Sequence, residues 1–106
     1  MTPEITVKQL QEELASDHPP IVVDVREAEE LEISRLSAYV HIPMMELPNR
    51  LSELDKEAAY VILCRSGSRS ARVTVYMLQS GFKHVRNVAG GINRWASEID
   101  SRVAQY

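Results

Sequence analysis

Cysteine is nearly absent from this sequence, since Cys64 is the only one among 106 residues. A single cysteine excludes a disulfide within the chain. It also excludes a second thiol of the same chain that could discharge an oxidised or otherwise loaded Cys64, so discharge needs another molecule. This composition favours a reaction in which one substrate loads Cys64 and a second substrate discharges it.

The sequence also lacks long apolar runs and a large excess of either charge. No stretch approaches the roughly 18 apolar residues of a membrane-spanning helix, and residues 1–4 lack the basic and apolar regions of a signal peptide. We therefore expect a cytoplasmic protein with no membrane partner. The formal net charge of −3 argues against general nucleic-acid binding. At this length we predict one domain over residues 1–106.

Cys64 stands where a predicted strand leads into a predicted helix. It follows the apolar run Tyr60–Leu63 and opens the sequence Cys-Arg-Ser-Gly-Ser-Arg-Ser, residues 64–70, called here the Cys64 loop. A tight strand-to-helix loop turns backbone N–H groups inward and adds the positive end of a helix dipole, so it favours an anion. Such surroundings lower a cysteine pKa from about 8.5 into the range of roughly 3.5 to 7.5. We predict that Cys64 is a catalytic thiolate; the alternative is a small buried hydrophobic residue.

Strands and helices alternate along the whole chain. Thr6 and Gln9 form the capping-box signature of a first helix. Strands are predicted at Ile21–Val25, which is expected to be buried on both faces, and at Tyr39–Ile42, Tyr60–Leu63 and Val85–Val88. Helices are predicted at residues 7–14, 26–31, 47–54, 70–80 and 92–103. The alternation predicts an α/β fold with a mostly parallel central sheet and helices on both faces. Ligands bind such folds at the carboxyl ends of the strands, where Cys64 lies.

Four segments together resemble the rhodanese-like sulfurtransferase family over nearly the whole chain. They are Asp24–Glu27, Ile42–Pro43, the Cys64 loop, and Gly81–Phe82 followed by Val88–Ile92 with Trp95. The resemblance implies a single-domain rhodanese-like fold. It also implies a Cys64 persulfide, which forms when Cys64 takes sulfane sulfur from a small-molecule donor such as thiosulfate. The persulfide would pass that sulfur to a thiophilic acceptor such as cyanide or a protein.

The resemblance assigns roles within the Cys64 loop. Arg65 and Arg69 would attract an anionic donor. Backbone N–H groups would hold the bound sulfur, and the hydroxyl of Ser70 would add a further donor. The expected donor-binding residues are therefore Arg65, Ser66, Gly67, Ser68, Arg69 and Ser70.

The end of the chain points to one kind of acceptor. Residues 95–100, with Tyr106, are similar to the close of rhodanese domains fused to adenylating enzymes, and residues 44–47 with 50–51 resemble them too. Those fused domains supply sulfur to small ubiquitin-like carrier proteins. The resemblance therefore implies a ubiquitin-like sulfur carrier as a protein partner.

Two alternatives from different classes remain open. Cysteine phosphatases and arsenate reductases also hold an oxyanion over a thiolate, but their loops place one more residue between the cysteine and the arginine. Four residues separate Cys64 from Arg69, which predicts a pocket too narrow for a tetrahedral anion. The second alternative is a non-catalytic regulatory or interaction module on the same fold, because a fold does not prove an activity.

Other conspicuous residues have simpler interpretations. Asp24 and Arg26 are interpreted as a pair that ties a loop to the sheet, and the acidic run Glu27–Glu32 as a solvated helix face. Trp95 is expected in the core, and Arg35 is not assigned to the site. No metal site and no cofactor are predicted, since no ligand spacing relates the three histidines, His18, His41 and His84.

Overall fold

A five-stranded, wholly parallel sheet organises the chain in the computed structural model, which describes residues 2–106. Its spatial order is β1-β5-β4-β2-β3. The strands are β1 (Glu4–Ile5), β2 (Ile21–Asp24), β3 (Val40–His41), β4 (Ala59–Leu63) and β5 (His84–Val88). The helices are α1 (Val7–Leu14), α2 (Ala28–Ile33), α3 (Leu47–Arg50), α4 (Ser68–Gln79) and α5 (Gly91–Glu98), with a 3-10 turn at Leu51–Glu53.

The predicted α/β architecture is confirmed by the packing on the two faces of β4. Tyr60 and Ile62 belong to one buried cluster, which includes Val73 and Met77 of α4. The alternate residues Val61 and Leu63 belong to a second cluster, on the face that carries α1 and α5. Because successive side chains of a strand point to opposite faces, a strand covered on both faces reads as a continuous apolar run.

The capping box that predicted the first helix is also confirmed. The Thr6 hydroxyl accepts a hydrogen bond from the backbone N–H of Gln9 at 3.1 Å, and the Gln9 side chain accepts one from the backbone N–H of Thr6 at 3.0 Å. These reciprocal bonds satisfy two donors that the helix leaves free at its start. They also fix the chain direction between β1 and α1.

Several elements differ from the predictions, and three of the differences concern β1, α4 and α5. β1 was not predicted, because a two-residue strand has no periodicity to detect; it pairs with Asn87 and Val88 of β5. α4 begins at Ser68, so the last three residues of the Cys64 loop form its first turn. α5 ends at Glu98 rather than near residue 103, because the Asp100 carboxylate accepts a hydrogen bond from the backbone N–H of Arg102 and forms a local turn.

The strand register brings the carboxyl ends of β2 and β4 together. Asp24 at the end of β2 lies opposite Leu63 at the end of β4. The segments that follow these two strands therefore leave the sheet side by side. No helix within residues 2–106 has both the length and the apolar character needed to cross a membrane.

Candidate active site

Cys64 lies at the carboxyl edge of the sheet, directly after β4, and is buried. Gly67 adopts φ +106°, in the left-handed region, and acts as the N-cap of α4. An L side chain rarely adopts this conformation, so glycine lets the chain turn sharply from the loop into the helix. The turn wraps the backbone around the cysteine sulfur.

The Cys64 sulfur sits among hydrogen-bond donors. The backbone N–H of Gly67 donates to Sγ at 3.1 Å and that of Ser70 at 3.4 Å, while the Ser70 hydroxyl lies 3.2 Å from Sγ. Burial alone would raise the pKa of Cys64, but hydrogen bonds from Ser70 and from the N–H groups of Gly67 and Ser66 lower it below the ordinary value. The site therefore favours a thiolate, the reactive form of cysteine.

A second segment supports the loop from behind. The N–H groups of Ile92 and Asn93, at the start of α5, donate to the carbonyl oxygens of Cys64 at 2.9 Å and Arg65 at 3.1 Å. Gly91 has φ +62°, and a Cβ atom there would lie 2.4 Å from the Arg65 carbonyl oxygen. These contacts bind the loop carbonyls on the side of α5. The loop N–H groups are left to face the sulfur.

The two arginines of the Cys64 loop occupy different electrostatic surroundings. Arg69 donates two hydrogen bonds to the Glu30 carboxylate, at 2.7 and 2.8 Å. Arg65 is exposed, pairs with no carboxylate in residues 2–106, and lies with its guanidinium 5.0 Å from the centre of the Tyr106 ring. The role of Arg69 in attracting a donor stays a prediction, and its charge is already countered by Glu30. The free charge beside the site is that of Arg65.

The interpretation of Glu27–Glu32 as a solvated face is wrong for one member. Glu30 turns inward to Arg69 and also accepts a hydrogen bond from the Tyr106 hydroxyl at 2.8 Å. Its bonds to Arg69, more than those to the backbone of Glu27 and to Tyr106, lower the pKa of Glu30 to about 2. Sequence spacing gives no sign of this pairing, since Arg69 lies 39 positions away.

The interpretation of Asp24 and Arg26 is confirmed. Both side chains are fully buried, and the Arg26 guanidinium donates to both Asp24 carboxylate oxygens, with 2.8 Å between Nη2 and Oδ2. Arg26 also donates to the backbone carbonyl of Ser34 at 2.8 Å and to the Tyr106 hydroxyl at 2.9 Å. The guanidinium therefore ties the segment after β2 to the end of the chain.

Sequence reasoning missed Asn87 and the contacts of Tyr106. Asn87, buried on β5, accepts a hydrogen bond from the Ser70 hydroxyl and donates to the Gly67 carbonyl at 3.2 Å. Tyr106 is held by Asn93, which exchanges two hydrogen bonds with its backbone. Both residues are distant from the Cys64 loop in the sequence, and only the folded structure brings them close to it.

Other residues lie away from Cys64. Arg35 lines a cleft of about 730 Å³ at the opposite, amino-terminal end of β2, and Trp95 lines the same cleft and packs against the second core cluster. His41 lies within hydrogen-bond distance of the Arg26 carbonyl oxygen, at 2.7 Å. Among residues 2–106 no group of three His, Cys, Asp or Glu side chains could hold a metal ion.

Comparisons with known proteins agree with this geometry. A family model described as "Rhodanese-like domain" matches residues 6–98. "Putative sulfurtransferase YtwF" of Bacillus subtilis is 41% identical over 95 residues, which cover 90% of this chain and 91% of that protein. "Adenylyltransferase and sulfurtransferase UBA4" of Meyerozyma guilliermondii is 30% identical over 99 residues, which cover 86% of this chain and 23% of that protein. The crystal structure of a rhodanese-like domain protein from Staphylococcus aureus superposes with a TM-score of 0.85 at 32% identity, covering 98% of each chain.

Proposed function

This chain belongs to the rhodanese-like domain family, whose members include sulfurtransferases, and we propose that it moves sulfane sulfur through a persulfide on Cys64. The Sγ thiolate attacks the outer sulfur of a donor such as thiosulfate. The donor's S–S bond breaks, sulfite leaves with the bonding electrons, and a new S–S bond forms at Sγ. A thiophilic acceptor such as cyanide then takes the outer sulfur and restores the thiolate.

One observation carries the proposal: N–H donors converge on a buried Cys64 Sγ. A thiolate in this position is stabilised by the N–H groups of Gly67 and Ser70. After the first step the negative charge lies on the outer sulfur, and we propose that N–H groups of the Cys64 loop stabilise it there. Preorganised donors of this kind stabilise charge without having to reorient during the reaction.

Arg65 is proposed to attract the anionic donor. Its guanidinium is exposed and has no carboxylate partner among the described residues, whereas Arg69 is paired with Glu30. The Tyr106 ring lies against the Arg65 guanidinium and fixes its position near the loop. Arg69 is proposed to fix the first turn of α4 through Glu30 more than to bind the donor.

The acceptor class is a finer proposal. A relative whose name joins adenylyltransferase and sulfurtransferase matches this chain over part of its length, and the end of the chain resembles such fused domains. We therefore propose a ubiquitin-like sulfur carrier as one acceptor, alongside small thiophiles, in the cytoplasm. Labelled sulfur on Cys64 should leave for such a carrier when its C-terminus is activated as an acyl adenylate and a thiol reductant is present. Label that leaves only for cyanide or small thiols would refute this acceptor.

The central experiment uses intact mass and steady-state kinetics. Thiosulfate should add one sulfur atom to the protein, cyanide should remove it, and Cys64→Ser should lose both steps. Near-normal turnover by Cys64→Ser would overturn the proposal. A native protein that turns over no sulfur donor would instead support an interaction module, and robust hydrolysis of an aryl phosphate would support a phosphatase.

The proposed role of Arg65 has a matched control in Arg72, which is also exposed and belongs to α4. Arg65→Gln should lower kcat/KM for thiosulfate by about threefold to tenfold at low salt, and the difference should shrink as salt screens the charge. Arg72→Gln should change it much less. Equal losses in the two variants would mean that only the net charge of the surface matters.

A further inference from the structure

The Ser70 hydroxyl lies between two groups that cannot both receive its proton. Its oxygen is 3.2 Å from Cys64 Sγ and within hydrogen-bond distance of the Asn87 side-chain oxygen. A hydroxyl carries one proton and can donate only one such bond, although it can accept others. The direction of this O–H bond therefore decides what the cysteine sulfur meets.

The Asn87 amide has a fixed orientation. Its nitrogen donates to the Gly67 carbonyl at 3.2 Å and to a Glu4 carboxylate oxygen at 3.1 Å, and both of these oxygens are acceptors. Turning the amide over would place its oxygen against two other oxygens, so the oxygen must face Ser70. An amide oxygen can only accept, and the proton between the two residues must come from Ser70.

The two partners of the hydroxyl favour different charges on sulfur. While Ser70 donates to Asn87, it offers Sγ only lone pairs, which suits a thiol or the inner sulfur of a persulfide. When Sγ is a thiolate, a charge-assisted hydrogen bond from Ser70 is roughly twice as strong as the neutral one to Asn87. Turning the hydroxyl toward the thiolate leaves the Asn87 oxygen, on a residue only 2% exposed, without its donor.

We propose that Asn87 is a positioning residue, which receives the Ser70 hydroxyl whenever Cys64 Sγ is neutral and releases it when Sγ is a thiolate. The proposal rests on the sulfur-transfer function proposed above. As Sγ forms its bond to the donor sulfur and sulfite leaves with the electron pair, Sγ becomes neutral and the hydroxyl rotates back to Asn87. No proton passes between residues. Asn87 thereby favours the loaded form of the cysteine over the free thiolate.

Two charged groups lie next to the triad of Cys64, Ser70 and Asn87. Arg69, on α4, interacts favourably with the Cys64 anion. Glu4, on β1, reaches Asn87 on the side away from Ser70. The test must therefore separate the hydroxyl from these charges, which a pair of substitutions in the triad does while leaving both charges in place.

The first test is a double-mutant cycle on the pH dependence of Cys64 alkylation by iodoacetamide. Asn87→Leu removes the competing oxygen, and its alkylation midpoint should lie about half to one pH unit below that of the native protein. The same change should have no effect in a Ser70→Ala background. Glu4→Ala is the control for the loss of the contact between the amide nitrogen and Glu4, and it should leave the midpoint within about a quarter of a unit, because the Asn87 oxygen remains.

A second test uses the native protein, in case Asn87→Leu does not fold. The ¹³C resonance of the Asn87 side-chain carbonyl should titrate with the alkylation midpoint of Cys64, whereas that of Asn93 should not. The titration should vanish in Ser70→Ala. A resonance that ignores Cys64 ionisation, or an Asn87→Leu shift that persists without the Ser70 hydroxyl, would overturn the proposal. Neither readout needs sulfur turnover, and a failure of sulfur loading would instead count against the proposed function.

Discussion

Replacing Glu30 by Gln tests how much the ion pair between Glu30 and Arg69 contributes to the stability of the protein. The native carboxylate receives two hydrogen bonds from Arg69, and these bonds are the main reason that the pKa of Glu30 falls from 4.5 to about 2. At about 1.4 kcal/mol per pH unit, this shift corresponds to at most about 3.5 kcal/mol of stability. The two side chains are 18% and 31% exposed, so solvent screening reduces our expectation to about 2 kcal/mol.

The sign of the pH dependence follows from the lowered pKa. Glu30 stabilises the fold fully above about pH 4.5, where it is ionised in both states. Its contribution is lost as the pH falls from 4.5 through about 2, because the carboxylate must then be protonated. Urea unfolding of native and Glu30→Gln proteins should therefore differ by about 2 kcal/mol at pH 7, and the difference should shrink steadily below pH 4.5.

The matched control is Glu53→Gln. Glu53 pairs with Arg50 at 3.0 Å, but its side chain is 54% exposed, so the expected loss is much smaller than that of Glu30→Gln. Glu30→Gln should also lower the midpoint of Cys64 alkylation, because Arg69 then acts on the sulfur without a neighbouring negative charge. A stability difference for Glu30→Gln that does not change with pH, or one no larger than that of Glu53→Gln, would refute this account.

Two further predictions concern the supports of the site. Gly91→Ala should destabilise the protein and reduce sulfur loading more than Gly81→Ala. Both glycines have positive φ, which costs an alanine about 1–2 kcal/mol. A Cβ atom at Gly91 would lie 2.4 Å from a backbone oxygen, whereas the atom nearest to a Cβ at Gly81 is 3.6 Å away on a flexible side chain. Equal urea midpoints for the two variants would show that the contact is relieved at no cost. Tyr106→Phe should keep the KM for thiosulfate, because the ring under Arg65 remains, but lower stability by about 1 kcal/mol through the lost hydroxyl bonds to Arg26 and Glu30. Tyr106→Leu should also raise KM, and an unchanged KM would show that the ring does not position Arg65.

Local sequence signals predicted most of the helices and strands and placed Cys64 directly after β4, whereas long-range pairings could not be read from spacing. The capping box at Thr6, the apolar run before Cys64 and the pair of Asp24 and Arg26 each lie within a few residues, so their physics is visible in the sequence. Glu30 was misinterpreted because its partner arrives from α4. Asn87 was missed because the role of a polar residue in a short strand cannot be inferred until the structure shows its contact with Ser70.

The Cys64 loop shows the same contrast between local signals, which the sequence reveals, and long-range contacts, which it does not. Tight-loop chemistry predicted that N–H groups surround Cys64, and the contacts of Gly67 and Ser70 have that geometry. The arginines looked equivalent in sequence, one at each end of the loop. Their surroundings separate them, since a carboxylate meets Arg69 and an aromatic ring meets Arg65.

The supports behind the Cys64 loop come from residues that follow it in the chain. Asn87 holds the Gly67 carbonyl, and the start of α5 holds the carbonyls of Cys64 and Arg65. During synthesis a ribosome releases these residues after Cys64 itself. The nascent chain therefore carries a Cys64 loop without these supports until β5 and α5 have emerged and packed against it.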